Sequence, residues 1–181
     1  MKKYEFTGET KVVCGIELKR IRALIDIAGV CKAGDEGGFI EKESNLDHDG
    51  DAWVYGDARV SGAARVSGAA RVYGDAWVSG AARVSGAARV YGDAWETSPL
   101  YIQGTRFAAY MYSANKFAVG CQHYTFAGWH KFWRKIAERN GFTEAEQREY
   151  ISYFNLACER YGKEEYKVSF EDNSGSEEVD E

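Results

Sequence analysis

Three histidines and four cysteines are the residues of this 181-residue chain best suited to act as base, nucleophile or metal ligand. They are His48, His123 and His130, with Cys14, Cys31, Cys121 and Cys158. Cys121 and His123 stand two apart in a segment that reads as a strand, which puts both side chains on one face. A thiol beside an imidazole is the beginning of an activated nucleophile. No carboxylate nearby in sequence orients the histidine, however, and nothing marks an oxyanion hole. Cys121, His123 and His130 together fall one ligand short of a tetrahedral zinc site. Packing is the simpler role for all three. The cysteines lack any Cys-x-x-Cys spacing, so the expectation is free thiols in a reducing compartment, with no metal and no cofactor. The glycines form neither a P-loop nor a dinucleotide-binding signature.

The elements that would have to position these residues are dominated by a repeat. VYGDARVSGAARVSGAAR, Val54 to Arg71, is followed by VYGDAWVSGAARVSGAAR, Val72 to Arg89, and then by VYGDAW, Val90 to Trp95. A period of six is nested in a period of eighteen. Within each six, valine and alanine alternate with serine or tyrosine and arginine or tryptophan. A strand sends such alternate residues to opposite faces. Glycine marks every corner, where a tight turn needs backbone freedom. Glycine every six residues and the absence of a 3.6-residue apolar stripe exclude a helix. Three sides of six residues close a coil of eighteen, and the next coil lands above it at about 4.8 Å, the distance of hydrogen-bonded strands. The reading is a parallel β-solenoid, in which each coil buries its apolar face against its neighbours.

The pattern resembles the hexapeptide-repeat proteins that form left-handed parallel β-helices. The pairs Val54/Ala58, Val60/Ala64, Val66/Ala70, Val72/Ala76, Val78/Ala82, Val84/Ala88 and Val90/Ala94 carry the resemblance. The left hand comes from it alone. The V-Y-G-D-A-R wording with its GDEGGFIEKESNL lead-in is similar to small phage and prophage proteins, which mostly have no assigned activity. Acyltransferases of the hexapeptide family use a histidine in a groove between subunits, and related carbonic anhydrases hold zinc with three histidines on the coils. No histidine lies between Val54 and Trp95, so a three-histidine zinc site is not expected. His48 is the one candidate for acyl transfer, as the runner-up to a chain with no catalytic residue.

Traced backwards, the repeat frame puts Leu46 and Ile40 at the inward small position and His48 in an inward valine slot. Traced forwards, it puts Glu96 where a valine belongs. A carboxylate in a dry core is prohibitive, so the coil should end near Trp95. The fold class is therefore mainly β. Residues 1–35 form a β-strand cap, 36–98 a three-sided β-helix, 99–161 an α+β lobe and 162–181 an acidic disordered tail. In the lobe, strands over 100–126 precede a helix from Gly128 to Arg139, with Trp129, Phe132, Trp133 and Ile136 on one face. Thr143 and Glu146 form a capping box for a second helix, with Ile151, Phe154, Cys158 and Tyr161 as its stripe.

The outward columns are the candidate binding surface. One side stacks Trp53, Arg71 and Arg89 beside Tyr55, Tyr73 and Tyr91. The next stacks Arg59, Trp77 and Trp95, and the third Arg65 and Arg83. Stacked aromatics also stabilise strands by themselves, but aromatics and arginine are the residues enriched at binding hot spots. The expected function is non-enzymatic docking of a protein partner, such as a host or host-defence factor. A self-associating structural or virion protein is an alternative, and a dimer or trimer fits the flat sides. Residues 162–181 hold eight acids and two lysines, a net −6 that leaves +1 for the rest of a chain of net −5. Nucleic acid is therefore not favoured. No apolar run reaches transmembrane length, no signal core opens the chain, and the expected location is the cytoplasm, with no membrane partner.

Overall fold

The computed structural model describes residues 1–171. The chain divides into two compact units, Met1–Pro99 and the residues from Leu100 on.

The first unit is the solenoid with its N-terminal strands. Side one of the coil stacks β3 (Glu36–Ile40), β5 (Arg59–Val60), β8 (Trp77–Val78) and β11 (Ala94–Trp95). Side two stacks β4 (Trp53–Val54), β7 (Arg71–Tyr73) and β10 (Arg89–Tyr91), and side three β6 (Arg65–Val66) and β9 (Arg83–Val84). All these pairings are parallel. The regular step is eighteen, with Arg59 opposite Trp77 and Val72 opposite Val90. The valines from Val54 to Val90 are buried at the centre, as are the alanines from Ala52 to Ala88 that share their face. Coil-to-coil bonds such as Tyr55 N–H to Val72 O, 2.8 Å, and Ser61 N–H to Val78 O, 2.9 Å, satisfy the backbone.

The coil departs from the repeat frame at both ends. Ile40 lies opposite Val60 and Leu46 opposite Val66, so both fill the aliphatic slot rather than the small one. The step there is twenty, because His48 and Asp49 are extra residues at the corner before Gly50. The bulged corner removes His48 from the valine slot. At the other end Gly92 and Asp93 both adopt positive φ, +50° and +55°. The turn takes up one residue fewer, so Trp95 lies opposite Val78 rather than Trp77. Trp95 is turned inward as the last side chain of the core, 5% exposed, and Glu96 is returned to solvent.

The N-terminal strands extend side one. β1 (Tyr4–Val13) pairs antiparallel with β2 (Ile16–Ala23), and β2 with β3. Lys3, Tyr4, Leu18 and Ile21 are buried at this end. Gly37 and Gly38 let β3 pass close under the next coil: a Cβ on Gly38 would stand 2.5 Å from the Ala58 carbonyl oxygen.

The second unit is an antiparallel meander of β12 (Tyr101–Gln103), β13 (Ala108–Ser113), β14 (Lys116–Val119) and β15 (Gln122–Thr125). Two helices follow, α1 (Phe126–Arg139) and α2 (Glu144–Arg160). Thr125 caps α1, accepting from Gly128 N–H at 3.0 Å. Thr143 and Glu146 cap α2 reciprocally. The expected stripes hold at Trp129, Trp133, Ile136, Phe154 and Cys158, all buried, whereas Phe132, Ile151 and Tyr161 are only half-buried. Residues 162–171 are not a solvated tail: a 3₁₀ turn at Glu164–Tyr166 leads into a segment in which Val168 is buried. The remainder of the expected disordered tail lies outside the described residues. No helix among the described residues is long and apolar enough to cross a membrane.

Candidate docking faces of the solenoid

The tyrosines of side two form a single file. Tyr55 and Tyr73 stack with centroids 4.5 Å apart and planes 9° apart, and Tyr73 and Tyr91 stack at 4.5 Å and 11°. The geometry follows from the register, which sets equivalent residues one strand spacing apart. The hydroxyl of Tyr55 donates to Val30 O at 3.2 Å. Burial, and then the neighbouring Tyr73, push its pKa up to about 12. The Arg71 guanidinium lies beside the Tyr73 hydroxyl. Tyr73 and Tyr91 keep part of each ring at the surface, and Arg89 is exposed beside them.

Trp53 belongs to the same side but not to the accessible face. It points out of the coil opposite Arg71, yet is 1% exposed because the Tyr4 ring packs edge-on over it, 6.5 Å between centroids. A large apolar ring at the first coil is cover for the solenoid end, not a contact surface. Trp95 is lost from the columns too, through the one-residue slip.

Side one keeps Arg59 and Trp77. The guanidinium lies 5.3 Å over the indole, a cation–π pair, and the indole N–H donates to Ser61 Oγ at 2.9 Å. Both groups are thereby used within the fold. On side three Arg65 pairs with Asp47 at 3.0 Å. Arg83 and Arg89 project to solvent across the corner formed by Ser85 to Ala88, which carries no acid.

The histidines and cysteines are not brought together. His48 stacks on Tyr4 at 4.3 Å, and its Nδ1 accepts from the Lys3 backbone N–H at 3.3 Å. The same corner holds the buried Lys3 ammonium, which donates to Ala52 O at 2.8 Å and Gly50 O at 3.1 Å. Burial lowers the Lys3 pKa against nearby aspartates that raise it. Tyr4, Lys3 and His48 thus fasten an irregular corner, a role that sequence spacing could not show because the corner is an insertion. Cys121 lies in the turn before β15 rather than on the strand, so it does not share a strand face with His123. His123 instead stacks on Tyr112 at 4.3 Å. His130 Nδ1 faces the carbonyls of Tyr166 and Lys167 at 3.1 and 3.2 Å. Among the described residues no group of three His, Cys, Asp or Glu side chains could hold a metal ion.

Residues 52–68, 64–80 and 70–86 each match the YdcK beta solenoid repeat family. The three matches start twelve and six residues apart, in step with the hexapeptide period seen in the coils. No curated protein matches the chain. The repeat match and the stacked coils together identify a repeat β-solenoid protein.

Proposed function

We propose that the solenoid is a rigid docking module that binds a protein partner without catalysis. The tyrosine file carries this reading: three rings held parallel on a β-scaffold lose little conformational freedom on binding, which is the preorganisation that favours tight contact. Tyr55, Tyr73 and Tyr91, with Arg71 and Arg89 beside them and Arg65 and Arg83 around the next corner, form the face. Arginine and tyrosine at the centre of a patch are typical anchors. Arg83 and Arg89 are exposed at the edge of this face, and an acidic partner surface would complement them. Arg59 and Trp77 stiffen the adjacent side.

A phage or prophage origin, a host or host-defence factor as partner, and a cytoplasmic location are part of the same proposal. They rest on the wording of the repeat. Capture from host lysate, followed by titration of the purified partner, tests it. Arg71→Ala with Tyr73→Ala should weaken the partner at least about tenfold while the circular dichroism stays unchanged. Undiminished affinity in that double variant rejects the face.

A further inference from the structure

The strap that follows α2 reads as a ligand in its own binding site. Its contacts to the two helices are made by side chains. The Asn155 amide holds both backbone groups of one residue: Oδ1 accepts from Val168 N–H and Nδ2 donates to Val168 O, each at 2.9 Å. Such a pair reads an extended main chain whatever its side chain. Two residues on, the Phe170 ring lies 3.9 Å from the Arg148 guanidinium and 5.6 Å from that of Arg134. Trp133 forms the floor at 6.3 Å between ring centroids, and Arg134 also donates to the Phe170 carbonyl. Between these anchors Val168 points inward and forms part of the wall of an apolar cavity of about 60 Å³, shared with Phe117, Trp133, Ile151 and Phe154.

That cavity is the telling feature. Val168 lines one edge of a cavity that continues toward Phe107 and Phe142, so a longer aliphatic side chain at this position would extend into it, and unfilled apolar volume is destabilising in proportion to its size. The tethered strap has the advantage of high effective concentration but carries an undersized anchor. We infer that the groove between α1 and α2 is a recognition site for an extended peptide of another protein, now filled by this chain's own Val168–Phe170. The peptide has a bulky apolar residue two positions before an aromatic one, whose ring stacks on Arg134 and Arg148 as that of Phe170 does, Arg148 being already paired with Glu144 at 2.9 Å.

Labelled peptides with the sequence of residues 167–172, and with leucine in place of the valine, test this by fluorescence polarisation on the full chain. Weakening the strap with Phe170→Ala frees the groove, so the valine peptide should bind that variant at least about tenfold tighter than the unaltered chain. The leucine peptide should bind about fivefold tighter than the valine peptide. Adding Asn155→Ala should remove at least about tenfold of the affinity. Equal binding to the two chains, no saturation of Phe170→Ala by about 1 mM peptide, or no preference for leucine overturns the proposal. A measurement on the unaltered chain guards against a variant that does not fold. The Val168 amide should exchange with solvent faster than the core amides of α2, and faster still with leucine peptide present. Exchange only through global unfolding overturns the proposal as well.

Discussion

The side-chain amide of Asn45 donates to the Ala64 carbonyl at 2.8 Å. Its other N–H reaches Gly62 O at 3.2 Å, and its Oδ1 accepts from Lys42 N–H at 2.9 Å. Asn45 is fully buried, and stands where later coils carry an arginine. It closes the first corner of side three. Asn45→Leu keeps the branched shape but adds volume and strands both carbonyls and the Lys42 N–H, and should cost about 2–4 kcal/mol. Urea unfolding measures it, and a loss below about 1 kcal/mol would show that water replaces the amide.

The slip at Asp93 gives a second test. Trp95→Ala should cost about 3–5 kcal/mol, as expected for a large buried ring. At Asp93, where φ is +55°, a β-branched residue is strained, so Asp93→Val should cost about 1–2 kcal/mol more than Asp93→Gly. Thermal melts of the three variants distinguish a required left-handed residue from a tolerated one.

Two glycines differ in the reason for their presence. Gly38→Ala drives a methyl into the Ala58 carbonyl at 2.5 Å and should either block folding or lower the melting temperature of the solenoid unit by about 10–15 °C, roughly the effect of 2–3 kcal/mol in a unit of about 100 residues. Gly74 has positive φ but no atom within 4 Å of an added Cβ. Gly74→Asn, which tolerates that conformation, should cost no more than about 1 kcal/mol.

The cysteines should separate by reactivity and by pH. Cys14 and Cys121 are exposed and Cys158 is buried, so a thiol reagent should label the first two in the native chain and the last only after unfolding. Burial pushes the Cys158 thiol up to about 12 from an ordinary 9.0. A group raised on folding contributes stability below its unfolded pKa and loses it as pH rises toward the folded value. Between pH 8 and 10 the unaltered chain should therefore lose about 1 kcal/mol relative to Cys158→Ala. A constant difference between the two across that range would contradict the assignment.

The middle of the solenoid was legible in the sequence because the repeat is strict: a period of two within six, and six within eighteen, leaves one way to bury valine and alanine. Its ends were not. At His48–Asp49 two residues bulge out, and at Gly92–Asp93 the turn closes one residue early. The two-residue bulge keeps the alternation but moves Ile40 and Leu46 from the small inward slot to the aliphatic one, whereas the one-residue slip turns Trp95 inward and Glu96 outward, so none of the four could be placed by counting. Trp53 lies opposite Arg71, but the cover supplied by Tyr4 is a long-range contact with no local signature. The strap at Val168–Phe170 was hidden by composition, since the acids around it read as a solvated tail while the aliphatic and aromatic anchors were few.

Because Val54–Arg71 and Val72–Arg89 are interchangeable storeys, the height of the solenoid is decoupled from its ends. Excising 72–89 should leave a shorter tower with the same foundation at Lys3 and the same roof at Trp95, and one tyrosine fewer in the file. A gene able to gain or lose eighteen codons by slippage would thus lengthen or shorten its contact surface in whole floors, with no need to redesign either closure.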